Sequence, residues 1–188
     1  MTAALVFIAL ALAAAWLPDH ATVRKPITAL AGGVGIYGMS VHGWVGWRWD
    51  WGTWWVLAAF TLFMLLALGY RYRRLFSPRV PALDDLAWGV AWGALQQGVL
   101  LGFLLQVHPL LAIVAFPVLH APNGLLVTVT AVAGPVSVLI AEFVGLSIPA
   151  AAVCHAVLSL GISLGLPRSV THGMCVGWDC AVRKVRIL

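Results

Sequence analysis

The stretch Gln96-Gln97-Gly98-Val99-Leu100-Leu101-Gly102-Phe103 decides how this chain is read. It lies inside the uncharged run 87–106, a little after Asp84 and Asp85. A run of about 20 such residues suffices for one helical crossing of a hydrocarbon core. The run nevertheless carries two adjacent carboxamides near its middle. Polar side chains inside a membrane helix are costly and face a bundle interior or a cavity. The stretch therefore predicts a helix with one side turned into a bundle.

The same apolar pattern recurs outward from it. Hydrophobic residues make up 62% of the 188-residue chain and charged residues 9%. Soluble domains carry about 25% charged residues, so this composition excludes that class. The expectation is an all-α polytopic transmembrane bundle, one integral membrane domain over 1–188. Seven spans are predicted at 2–17, 27–46, 53–70, 87–106, 109–120, 124–146 and 148–166. The fifth is short and is expected to be tilted or partly re-entrant. The first has no basic residue before it and no clean small-x-small site before Pro18, so it reads as a membrane helix and not as a signal peptide.

Charge then orients the spans. Arg24 and Lys25 lie between spans one and two, and Arg71, Arg73, Arg74 and Arg79 between spans three and four. Arg168, Arg183, Lys184 and Arg186 lie in the tail, which occupies 167–188. Seven spans put these ten of the eleven basic residues on one side and Arg48 on the other. The rule that cytoplasmic loops are basic predicts a cytoplasmic C-terminus and an outside N-terminus. This sorting, and not nucleic-acid binding, accounts for the net charge of +5. The expected setting is a bacterial inner membrane, with lipids and other membrane subunits as partners.

The loop between spans two and three concentrates tryptophan: six of the ten fall in 44–55. Indole partitions to the headgroup level, so an interfacial belt is the plain reading. The sharper reading makes Trp47, Trp49, Trp51, Trp54 and Trp55 a surface for another membrane subunit or a pigment. Arg48 and Asp50 are close enough in sequence to pair, at little energy for exposed groups. Cys154 reads as a small apolar residue within a span. Cys175 and Cys180 fall in the tail, where a cytoplasmic setting disfavours a disulfide. Their spacing with His172 suits zinc only if a fourth ligand is found, and no metal is expected.

The polar residues within or beside spans are Gln96, Gln97, His120, Asn123 and His155. Phe116-Pro117-Val118-Leu119-His120 is followed by Ala121-Pro122-Asn123, and His155-Ala156-Val157-Leu158-Ser159 follows Gly145-Leu146-Ser147-Ile148-Pro149. Over 85–166 these motifs, in this order, resemble the CPBP (Abi, or CAAX-type) glutamic intramembrane proteases. That family carries Glu-Glu-x-x-x-Arg, often before Gly-Phe, then Phe-x-x-x-His, then His-x-x-x-Asn or His-x-x-x-Asp. Here the first motif reads Gln96, Gln97 and Leu101 before Gly102-Phe103; the second is intact; the third keeps His155 and ends in Ser159. The resemblance implies a CPBP-like helical core with a degenerate site. The first three spans, 1–80, lie outside it.

In the family a glutamate activates water, and histidines hold the nucleophile and stabilise the oxyanion. A carboxamide accepts hydrogen bonds but takes no proton from water near neutral pH. Loss of the arginine at Leu101 fits loss of the carboxylates, since an unpaired buried guanidinium is destabilising. Substitute carboxylates are poorly placed: Glu142 falls near the outer end of span six, and Asp85 about 16 Å along the helix from Gln96. No catalytic residue is therefore expected, and the polar cluster is read as a binding or packing feature. The leading expectation is a non-catalytic binding or scaffold subunit of a membrane complex. Its rivals are an active intramembrane protease with His120 or His155 as base, and a pigment- or cofactor-holding subunit with a histidine ligand such as His42 or His108. No cofactor is expected, a lipid or pigment being the alternative occupant.

Overall fold

The computed structural model describes residues 1–18, 22–42, 44–77, 80–171, 174–178, 180 and 181. The described regular structure is helical: α1 (Thr2–Trp16), α2 (Arg24–Val41), α3 (Trp51–Arg71), α4 (Leu83–Val107), α5 (Pro109–Leu119), α6 (Gly124–Phe143), α7 (Ile148–Gly165) and the short α8 (Arg168–Thr171). Four of them, α3, α4, α6 and α7, are long and apolar enough to cross a membrane. The apolar α1 and α5 are shorter. At 1.5 Å per residue α5 reaches about 16 Å, roughly half a hydrocarbon core. The predicted second span ran to residue 46, but α2 stops at Val41, because the chain turns through positive φ at Trp44 and Gly46.

Side chains set most helix starts. Asp50 accepts from the Thr53 amide at 2.6 Å to open α3, and Asn123 accepts from the Leu126 amide at 3.2 Å to open α6. Ser147 receives the Ala150 amide at 3.4 Å ahead of α7. His108 Nδ1 accepts from the Leu110 amide at 3.2 Å ahead of α5, where Pro109 needs no partner for a missing N–H. The Asp50 carboxyl is held below the ordinary carboxylate range chiefly by the Thr53 amide, with a smaller effect from the Arg48 charge. A depressed folded-state value gives stability that is complete above the unfolded value of about 3.9 and is lost as pH falls through the folded one. Thermal unfolding of Asp50→Asn in detergent is therefore expected to show less loss of melting temperature below pH 4 than the parent. Superimposable acid limbs would remove this role.

Two sets of bonds define the ends of the bundle. At one end Ile148 N donates to Gly46 O at 2.8 Å, Ser147 Oγ donates to Arg48 O at 2.8 Å, and Asp50 N donates to Ser147 Oγ at 3.3 Å. Gly46 has φ +80, and a Cβ there would lie 2.5 Å from Leu146, so glycine is required twice over. At the other end Ser77 N donates to Gly165 O at 3.0 Å, and Gly177 N donates to Ala121 O at 2.7 Å. Gly177 also packs against the carbonyl of Ala15. The ends of α1, α3, α5 and α7 thus gather together, with Arg71, Arg73, Arg74 and Arg168 among them. Arg48 sits at the opposite end.

The core forms around α4. Lipid tails are as apolar as leucine, so helices in a membrane associate by close packing and buried hydrogen bonds. α4 lies along α7 through Gly89 and Gly93, where a Cβ on Gly93 would fall 2.6 Å from Ala152 O. Further along, Phe103 packs edge-on to Phe7 at 6.2 Å between centroids and lies against Gly38 of α2. Residues 97–105 are buried without interruption. Leu100–Leu104 within this run form a π-helical turn. Gln106 Nε2 donates to Leu101 O at 3.2 Å just beyond it.

Candidate functional site: a neutral polar cluster between α4, α5 and α7

Gln97 projects from α4 toward α7, and its Nε2 lies 3.0 Å from His155 Nδ1. The amide nitrogen can only donate, so His155 Nδ1 accepts, and the neutral ring carries its proton on Nε2. On α5, His120 Nδ1 lies 2.7 Å from Phe116 O. A carbonyl only accepts, so here Nδ1 bears the proton and Nε2 holds the lone pair. The Phe116 ring packs between the two histidines, 4.9 Å from His120 and 6.1 Å from His155 by centroid. The two rings therefore expose opposite functions, a donor on His155 and an acceptor on His120.

The structure thus brings Gln97, His120 and His155 into one cluster around Phe116. Gln96 is half-buried beside Gln97, about 100° around the helix. The carbonyl oxygens Gln96 Oε1 and Gln97 Oε1 are buried and accept no hydrogen bond from the described residues. Asn123 is separate. It is fully buried, and its Nδ2 donates to Thr171 O at 3.0 Å and Cys175 O at 3.1 Å while its Oδ1 caps α6. Its polar atoms fasten the tail to the α5–α6 turn. Leu101, at the arginine position of the family motif, is 2% exposed and packed within the π-helical turn. Ser159 is half-buried one turn beyond His155.

Among the described residues, no substitute carboxylate enters the cluster. Glu142 is exposed near the end of α6, and Asp85 accepts from the Ala82 amide at 3.0 Å at the start of α4. Among the described residues no three His, Cys, Asp or Glu side chains gather as a metal site. His172 lies outside the described residues. Cys175 and Cys180 are joined as a disulfide, contrary to the expectation for a tail in a reducing compartment. Cys154 is buried and free. Of the other histidines, His108 caps α5, and the His42 ring lies 6.2 Å from that of Phe103.

The tryptophan loop divides. Trp47, 38% exposed, lays one edge of its ring against α4: a Cβ on Gly98 would lie 2.9 Å from that edge and 2.8 Å from Met39 Sδ. Trp49 packs between Trp51 and Trp54, at 5.4 and 5.2 Å, and Trp54 is partly buried against the core. Trp51 and Trp55 remain exposed, at 64% and 67%. A second exposed aromatic pair, Trp88 and Trp92, stacks one turn apart on α4 at 6.2 Å.

Three features escaped the sequence reading. The Gly89, Gly93, Gly98 and Gly102 series was available as a small-residue signal for close helix packing. The π-helical turn, a device frequent at functional sites, had no local signature. The packing of Trp47 against α4 depends on the glycine opposite it. No family model, curated protein or solved structure matches the chain.

Proposed function

We propose that the chain is a non-catalytic, CPBP-like membrane protein that serves as a binding or scaffold subunit of a larger membrane complex. The observation that carries this reading is the Gln97–His155 hydrogen bond, made where the resemblance calls for a carboxylate. Water activation requires a group that takes up a proton, and the tautomer of each histidine is set by a neutral partner instead of a carboxylate. The Gln97–His155 bond ties α4 to α7, and the Phe116 ring packs α5 against His155, so the cluster serves as a packing element. Trp51 and Trp55 supply the outward surface for a partner, since exposed indoles are favoured interface anchors.

We also propose that α1 to α7 all cross or enter a bacterial inner membrane, with the basic end of the bundle in the cytoplasm. The sorting of arginines by bundle end supports this orientation. The Cys175–Cys180 pairing pulls the other way, because disulfides persist on the oxidising side. We weigh the charges above it, because many independent positions agree. After treatment with a membrane-permeant reductant, a membrane-impermeant thiol reagent is expected to label the Cys175–Cys180 pair only once the cells are opened. Labelling of reduced intact cells would reverse the orientation.

Purification from native membranes in mild detergent is expected to recover stoichiometric membrane partners, most of which Trp51→Ala/Trp55→Ala loses. A parent that purifies alone would defeat the scaffold reading. In parallel, the parent is expected to cleave no membrane peptide. Cleavage by the parent that His120→Ala abolishes would establish the protease instead.

A further inference from the structure

Away from the polar cluster, a cavity of about 550 Å³ opens between the second half of α3 and the first half of α6. Its walls are mostly apolar, with Met64 and Leu68 from α3, Val129 and Val132 from α6 and Val170 from α8, and Thr128 is the polar residue among them. Its other end is polar and positive. Arg71 and Tyr72 line it from the end of α3, and Gly124 and Leu125 from the first turn of α6. None of the described lining residues is acidic.

We infer that this groove holds an anionic phospholipid, with its phosphate at Arg71 and one acyl chain along α3 and α6. Three observations converge on that occupant. Residues 64–71 span about 10 Å of α3 and residues 124–132 about 12 Å of α6, a length suited to the first part of an acyl chain. Arg71 offers a forked donor set matched to phosphate oxygens, and its guanidinium already lies over the Tyr72 ring at 5.4 Å. The first turn of α6 adds the positive end of a 20-residue helix dipole to the same cavity. Gly124 leaves that turn uncovered, because nothing lies within 4 Å of where its Cβ would be. A zwitterionic lipid fits the apolar walls equally well but places a cation beside Arg71. The headgroup charge therefore decides the preference.

The test uses the full chain in mild detergent, supplied with phosphatidylglycerol or phosphatidylcholine of identical chains and read by native mass spectrometry. Retention of one phosphatidylglycerol at least fivefold above phosphatidylcholine is expected. Arg71→Gln should abolish that preference, while Arg73→Gln, outside the groove lining, should keep it. Val129→Trp, which fills the apolar part, should reduce retention of both lipids. Each variant is accepted only if its helical circular dichroism matches the parent; should Arg71→Gln fail, Arg71→Lys is expected to keep at least part of the preference. Equal retention of the two lipids would overturn the inference. So would equal losses in Arg71→Gln and Arg73→Gln, which would mean diffuse surface charge. Binding of glycerol 3-phosphate as tight as that of the lipid would show that the chain contributes nothing and would overturn it too.

Discussion

Gly93→Leu is expected to lower stability by about 3 kcal/mol, the upper part of the range for overpacking a tight interior. The reason is the identity of the neighbour. A Cβ at Gly93 meets Ala152 O at 2.6 Å, and a carbonyl held in a helix cannot rotate aside as a side-chain tip can. Relief requires α4 and α7 to move apart along an interface that runs from Gly89 against Ala156 to Gly102 against Ile148 and carries the Gln97–His155 bond. In lipid no hydrophobic gain compensates, because separated helices exchange protein contacts for equally apolar tails. Denaturing-detergent titration followed by tryptophan fluorescence reads the change. Gly69→Ala is the control, since nothing lies within 4 Å of its Cβ position. A Gly93→Leu midpoint equal to that of the control would refute close helix contact at this point.

Asn123→Ala is expected to cost about 2–4 kcal/mol and to release the tail. Its side chain satisfies three backbone groups from two distant segments: the Leu126 amide and the carbonyls of Thr171 and Cys175. Each stranded buried group costs roughly 1–3 kcal/mol, less what water entry restores. Asn123→Asp is expected to be no better, because it keeps the acceptor and loses both donors. Two readouts separate the local from the global effect. The unfolding midpoint should fall, and protease cleavage within 166–178 should accelerate at temperatures where the bundle stays intact. A lowered midpoint with the tail still protected would show that Asn123 acts only as the cap of α6.

Both predictions turn on what a hydropathy reading can and cannot carry. Spans 53–70, 109–120 and 148–166 end within a few residues of α3, α5 and α7, because apolar length and caps such as Asp50 and Ser147 are local properties. The pairing of helices is not local. An apolar face suits lipid and protein equally, so the sequence alone does not say that Gly93 meets Ala152 or that Phe103 meets Gly38. The polar cluster was legible as a set of residues. Which glutamine meets His155 depends on the rotation of α4 against α7. Asn123 stood in that set by its proximity to His120 in sequence. Its geometry makes it an anchor for the tail, which a turn motif alone does not reveal. The Cys175–Cys180 bond was set aside on compartment grounds, although the two residues are only five apart in sequence and their Cα atoms lie 5.1 Å apart.

The unbroken burial of residues 97–105 has a consequence for how this helix tolerates change. An ordinary amphipathic helix alternates constrained and permissive positions every three to four residues. Along this segment of α4 the permissive positions are missing, since α7 and Trp47 bear on it from one direction and α1 and α2 from another. Saturation mutagenesis would therefore trace a plateau through the π-helical turn, with helical periodicity resuming only toward Trp88 and Trp92. A helix of this kind is the axle of the bundle, and its own sequence has little freedom to drift.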